Sequence, residues 1–187
     1  MAWKERLRIL EKSQQWDKAI AFMKGIIQKN PNDVDAYIFM NYLLMNILAE
    51  EEYDLSKDKE YATLLKWYFD ESYAKFSDNP EYLYFTAKTA VMGEWFFGIT
   101  VKDYEKMFKR AQEIELANPL YQEIYYLNLS SNDPYNQELI NFVRLALNKD
   151  SPMKKQLKDK GAIGEYILRM QQWWTRNALE LAEKNKK

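Results

Sequence analysis

An all-α fold of antiparallel helical hairpins is what this 187-residue chain predicts, on three observations. Glycine and proline number only five each, too few for the many tight turns of an all-β fold. Apolar residues recur at spacings of three and four, which places them on one face of a helix. Breaks of the Asn-Pro kind fall at Pro31, Pro80 and Pro119, each followed by an aromatic-rich stretch. The residue before a proline is pushed out of helical geometry, so each break ends a helix. Apolar residues at 47% and charged residues at 29% are ordinary globular values, and the length suffices for a continuous core. Aromatics stand out, with 14 Tyr, 9 Phe and 6 Trp.

The first helix runs from about Ala2 to Ser13, with Trp3, Leu7 and Leu10 as its buried stripe. Ser13 offers a cap for a second helix that begins near Trp16 and presents Trp16, Ala19, Ile20, Met23, Ile26 and Ile27 on one wide face. Asn30-Pro31 ends it. A third helix carries Val34, Tyr37, Ile38, Met40, Leu44 and Ile47 inward. Residues 50–60, EEEYDLSKDKE, have no periodicity and read as a solvated connector, with an acidic docking segment as the alternative. A helix resumes through Tyr61, Leu64, Leu65, Tyr68 and Phe69 to Phe76, and Asp78-Asn79-Pro80 stops it. The next runs from Glu81 to about Phe97, closed by Gly98. Helices over Val101–Leu116 and Leu120–Leu129 follow, then the strongest break of the chain at Ser130–Pro134. Beyond it lie a helix to Asn148, a turn at Asp150-Ser151-Pro152, the basic segment MKKQLKDK, and Gly161. The last helix, Ala162 to about Glu183, places Ile163, Ile167, Met170, Trp174, Ala178 and Leu181 on one face, widened by Tyr166 and Trp173. No linker of flexible composition divides the chain, so one domain is expected: regular repeats over 1–50, looser ones over 51–130 and a C-terminal cap over 131–187.

Charge and residue usage exclude several classes of function. The chain has no cysteine and no histidine, which removes thiolate nucleophiles, Cys/His zinc sites and the Ser–His–Asp triad. Residues 1–30 sum to +4, 31–81 to −8, 82–149 to −1 and 150–187 to +4. An acidic middle between basic ends argues against a nucleic-acid binder, which needs a continuous basic surface. The N-terminal MAWKERLRILEK has no apolar run of signal-peptide length, so the cytoplasm is the expected location. The uncharged run Ala36–Ala49 is short of the roughly 20 residues that span a bilayer, and no membrane contact is expected. Carboxylate pairs such as Glu113/Glu115 and Glu180/Glu183 lack any partner chemistry, and Gly161-Ala162-Ile163-Gly164 is too short to cradle a phosphate. No catalysis, cofactor or metal is expected.

The pattern repeats. Trp16 precedes Pro31 by 15 residues and Tyr104 precedes Pro119 by 15, with Ala19, Met23 and Ile26 matched by Met107, Ala111 and Ile114. This resembles the tetratricopeptide repeat, a helix–turn–helix unit of about 34 residues. Residues 1–33 match best: Trp3 and Leu7 in the first helix, then Trp16, Ala19, Ile26 and Pro31 in the second, with Tyr37 opening the next unit. The resemblance covers roughly residues 1–130. Spacings of 49 residues from Pro31 to Pro80 and 39 from Pro80 to Pro119 imply insertions. The small residue expected midway along the first helix is replaced by Leu10-Glu11 and by Asn41. The implied architecture is a stacked α-solenoid with a long C-terminal capping helix, because one hairpin cannot bury its own apolar face.

That resemblance also implies a groove lined by the first helix of each hairpin. Its residues would be Lys4, Arg8 and Lys12, then Asp35, Ile38, Tyr42 and Met45, then Tyr84, Lys88, Met92 and Trp95, and finally Tyr126. Tyr, Trp and Met dominate binding hot spots and adaptable grooves. Glu50, Glu51 and Glu52 add an acidic contact. The expected function is non-catalytic protein binding, most concretely by a small immunity-type inhibitor, or antitoxin, whose acidic centre faces a basic toxin or nuclease domain. Three rivals are a scaffold or co-chaperone holding a peptide in the groove, a small-ligand sensor with a pocket near Trp95 and Phe96, and nucleic-acid binding through Lys154, Lys155 and Lys158. The runs Trp95-Phe96-Phe97 and Trp173-Trp174 cannot face one core entirely, so each should leave a ring exposed, with Arg169 or Arg176 stacking on the tryptophans. Exposed rings would also serve a homodimer.

Overall fold

The computed structural model describes residues 2–123, 125–126, 137–148 and 150–184, with side chains described as far as Arg176 except those of residues 2 and 147. Among the described residues the regular structure is helical throughout, without a strand. Two compact units emerge, residues 1–114 and 115–187, where the absence of a linker suggested one domain. No helix of the described residues is long and apolar enough to cross a membrane.

The first unit contains α1 (Ala2–Lys12), α2 (Trp16–Lys29), α3 (Val34–Glu50), α4 (Asp58–Phe76), α5 (Pro80–Ala90), α6 (Glu94–Phe97) and α7 (Val101–Ile114). Helix α1 packs on α2, α3 on α4 and α5 on α7, and α3 also packs against α2 and α5. Aspartate at the cap starts α3, Asp33 accepting from the Ala36 amide at 3.2 Å. Asn79 does the same for α5 through the Tyr82 amide at 2.9 Å, with Pro80 in the first turn. Ser13 does not cap α2 as expected. Its hydroxyl donates to the Ile9 and Leu10 carbonyls, at 2.8 and 3.2 Å, and closes α1.

Helix α3 is the core. Eleven of its 17 residues are buried, on every side of the helix, including Tyr37, Ile38, Phe39, Met40, Tyr42, Leu43, Leu44 and Met45. Early α3 meets late α4: the Tyr37 hydroxyl donates to Glu71 Oε1 at 2.6 Å, and the Asn41 amide donates to Ser72 Oγ at 3.3 Å. Ser72 and the Tyr82 hydroxyl share a further bond of 2.7 Å, so α3, α4 and α5 meet at a buried polar junction.

Helices α2 and α4 run parallel, held at both ends. The Tyr61 hydroxyl donates to Asp17 Oδ1 at 2.8 Å, and Lys75 Nζ donates to the Pro31 carbonyl at 3.3 Å. Fourteen residues separate Asp17 from Pro31, and fourteen separate Tyr61 from Lys75, so the two helices lie in register. The following proline turn is held in the same manner, Arg110 donating to Asp78 Oδ1 at 3.1 Å.

The helix expected over 81–97 is two helices. Helix α5 ends at Ala90, the Val91–Gly93 turn intervenes, and α6 starts at Glu94. Gly93 makes the break possible, because a Cβ there would lie 3.0 Å from Met45 Cε and 3.1 Å from the Phe96 ring. Gly98 closes α6 as expected, in the left-handed region at φ 67°.

The second unit contains α8 (Gln137–Leu147), α9 (Pro152–Lys158) and α10 (Gly161–Lys184), with α10 packed on both others. The segment MKKQLKDK is mostly helix α9, capped by Ser151 accepting from the Lys154 amide at 3.3 Å. Tyr126 stacks on Phe142 at 4.3 Å, Phe142 on Trp174 at 6.1 Å, and the Trp174 indole donates to buried Glu123 at 3.3 Å. Ile163, Ile167, Gln171 and Trp174 form the buried face of α10, whereas Met170 is turned outward. The side chains of Ala178 and Leu181 and of the pair Glu180/Glu183 lie outside those described, and the break at Ser130–Pro134 lies outside the described residues. Gly164 lets α10 touch the end of α9: a Cβ there would fall 1.8 Å from the Leu157 carbonyl oxygen.

Candidate functional site

The groove expected on the first helices of the hairpins is closed. Ile38, Tyr42, Met45 and Tyr84 are core residues, each 4% exposed or less. The physical reason is that α3 and α5 are mostly buried and packed on several sides, so neither has an open face to line a groove. Asp35 is half-buried in an ion pair with Lys4, whose ammonium lies 5.1 Å from the Phe39 ring centroid. Arg8 donates twice to Glu5, at 2.9 and 2.6 Å. The Lys88 ammonium sits 5.7 Å from the rings of both Tyr84 and Phe108. Lys4, Arg8, Lys12 and Lys88, which could together have clamped an acidic chain end, therefore do not act as a unit, since three of them are engaged on their own helices or neighbours. Met92 and Tyr126 are half-buried. Of the groove set Lys12 and Trp95 are exposed, Trp95 at 66%, beside a half-buried Phe96 and a buried Phe97. Trp173 is exposed and Trp174 buried, as the paired rings required, but among the described residues neither Arg169 nor Arg176 stacks on them. Lys154 is buried, so the three lysines of the C-terminal segment do not form one exposed patch.

The acidic connector is ordered against the start of α2. The Trp16 indole donates to the Glu52 carbonyl at 3.2 Å. Lys57, in the single 3-10 turn Leu55–Lys57, pairs with Asp17, which also accepts from Tyr61. Asp54 caps that turn through the Ser56 amide at 3.0 Å, and the Asn46 amide holds Glu51 at 3.1 Å. Tyr53 donates to Asp58 at 2.7 Å, and its ring lies 5.7 Å from that of Tyr61.

Between connector and helix opens a cleft of about 340 Å³, walled by Trp16, Tyr53 and Tyr61 and rimmed by Gln14, Asp17 and Asp54. Gln14 at its lip has a left-handed backbone, φ 52°, the only described non-glycine residue to do so. The Lys57 ammonium, then the Tyr61 hydroxyl, hold the Asp17 carboxyl below its ordinary value. The Ser56 hydrogen bonds do the same for Asp54. Burial, reinforced by Asp58, pushes Tyr53 up to about 12. At neutral pH the cleft thus presents two carboxylates and neutral phenol rings.

Around it Glu50, Glu52 and Glu60 are exposed and, among the described residues, make no ion pair. Leu55, at the turn between them, is 77% exposed. Among the described residues no group of three acidic side chains converges as a metal site. Trp16, Asp17, Tyr53, Leu55 and Tyr61 were missed as site residues. The available signal was Tyr53 and Leu55, two apolar residues inside an otherwise charged connector.

The pairing of Asp17 makes the connector acid-sensitive. Because its folded pKa lies below the ordinary 3.8, the contact is fully present above that value and is lost as pH falls through the lower, folded one. The Trp16 indole N–H cross-peak in a ¹H–¹⁵N spectrum should shift only below about pH 3.8, and Asp17→Asn should remove that step.

No family model matches the chain, and no curated protein or solved structure is similar enough to count as a relative.

Proposed function

We propose that this chain is a non-catalytic protein-binding module that docks a basic partner domain on its acidic connector and blocks it, most concretely as an immunity-type inhibitor of a toxin or nuclease domain. The observation that carries this is the set of unpaired carboxylates Glu50, Glu52 and Glu60 around exposed Leu55, on a connector pinned by Trp16 and Asp17. A fixed acidic surface meets a basic one without first having to order itself, and it steers the encounter. The scaffold reading is tetratricopeptide-like. Its support is the pairing of α1 with α2, α3 with α4 and α5 with α7, the parallel register of α2 and α4, and the ties at the Pro31 and Pro80 turns. The first-helix groove of that family carries no role in this reading, since Ile38, Tyr42, Met45 and Tyr84 are core. The module acts in the cytoplasm in this reading.

The test is a triple reversal, Glu50→Lys with Glu52→Lys and Glu60→Lys, measured by biolayer interferometry against a panel of small cationic nuclease domains and against any partner identified by crosslinking. The association rate should fall on the order of 10- to 100-fold at 50 mM salt and converge with the parent at high salt. Equal binding by the reversed variant, with its melting unchanged, rejects the acidic connector as the docking surface.

A further inference from the structure

We propose that the cleft between the start of α2 and the connector is an anchor pocket for one arginine side chain of the partner. This rests on the docking role of the connector proposed above and names the group that enters it. The cavity, about 340 Å³, exceeds what a single long side chain fills, and its walls are the three rings of Trp16, Tyr53 and Tyr61. A flat, weakly hydrated guanidinium gains both from lying on aromatic faces and from forked hydrogen bonds to a carboxylate. The tyrosine hydroxyls are already committed, Tyr53 to Asp58 and Tyr61 to Asp17, and with Trp16 and Tyr61 buried the half-buried Tyr53 ring is the one that offers a face to an incoming group.

The protein itself shows what the cleft accepts. Lys57 lays its ammonium on Asp17 at the rim, so one cation is already held by this set of groups. Asp54 carries no ion pair among the described residues. Its partners there are the Ser56 amide, on Oδ1, and the Ser56 hydroxyl, neither of them a cation. The other lysine of the lining, Lys18, is turned to Gln15 Oε1 at 2.8 Å. Residues 50–61 with Asp17 and Lys18 hold seven carboxylates against three lysines, so the surrounding field favours a cation over an anion. An anchor seated against aromatic rings, ringed by charges that steer it, is a common layout of a hot spot.

The experiment is a ¹H–¹⁵N titration of the full chain with acetyl-Gly-Arg-Gly-amide, read at the Trp16 indole N–H, whose acceptor is the connector's Glu52 carbonyl. Glutamine and glutamate versions of the peptide serve as controls. A saturable shift is expected with the arginine peptide, at least 10-fold weaker with glutamine and absent with glutamate. Tyr53→Ala and Asp54→Asn should each weaken binding about 10-fold, whereas Tyr53→Phe, which keeps the ring, should retain it. Asparagine preserves the Asp54 cap of the turn, so that variant keeps its fold. Shifts that spread over the acidic surface without saturation, or that survive Tyr53→Ala, overturn the pocket. If the triple lysine reversal abolishes partner binding while Asp54→Asn and Tyr53→Ala leave it unchanged, the pocket fails and the docking surface stands. If the arginine peptide saturates the cleft but the reversal changes no partner affinity, the docking surface fails and the cleft stands as an arginine site.

Discussion

Tyr84→Ala should lower the stability of the residue 1–114 unit by roughly 3–5 kcal/mol, the cost of removing a large core aromatic. The side chain is fully buried, with its ring 5.3 Å from Phe85 and 5.8 Å from Phe108 and the Lys88 ammonium over it. Truncation takes away the ring packing between α5 and α7 and leaves a cavity that the surrounding helices fill only in part. Had Tyr84 lined an open groove, the same change would cost no more than about 0.5 kcal/mol and would be felt in binding. Urea unfolding followed by circular dichroism at 222 nm separates the two outcomes. A loss below about 1 kcal/mol would return the residue to the surface set.

Gly164→Ala should be the most damaging single-methyl change in the second unit. The added Cβ falls 1.8 Å from the Leu157 carbonyl oxygen and 2.8 Å from its carbon, both backbone atoms that no rotamer change can move aside. Helix α10 would have to lift off the end of α9, taking with it the buried contacts of Leu157 and Ile163. A loss of about 3 kcal/mol is expected, at the upper end of overpacking costs. It should show as early loss of the part of the near-ultraviolet signal that comes from Trp173 and Trp174, while the transition of residues 1–114 stays in place. In an ordinary exposed helix position the substitution would instead stabilise by up to about 1 kcal/mol, so even the sign of the effect is decisive.

Most of the helices were legible because their signals are local. Asn30-Pro31 and Asn79-Pro80 end or begin helices wherever the rest of the chain goes, and Gly98 adopts the left-handed backbone that only its own lack of a Cβ makes easy. The failures are all of facing. Periodicity identifies an apolar stripe on α3 but not that its remaining sides are covered too, so Ile38, Tyr42 and Met45 were divided between core and groove on a pattern that holds both. Gly93 and Gly164 look alike in sequence, and only a neighbour's position shows that one breaks a helix and the other lets two helices touch. The site was half legible. The acidity of the connector is written in its composition, but its attachment to Trp16 and Asp17 depends on groups 36 and 40 residues distant.

The matched ties between α2 and α4 decide where this chain tolerates a change in length. One residue added or removed between Asp17 and Pro31 would rotate one tie about 100° relative to the other and shift it about 1.5 Å along the axis, so both could not be kept. The equivalent stretch of α4, from Tyr61 to Lys75, is bound by the same rule. Lengthening must therefore fall outside these stretches, and of the connections between α2 and α4 the one at residues 51–57 is the longest. The segment proposed to carry the acidic contact surface is thus also the longest connection between α2 and α4 outside the two matched stretches, and among the described residues it is held to α2 only through Glu52 and Lys57.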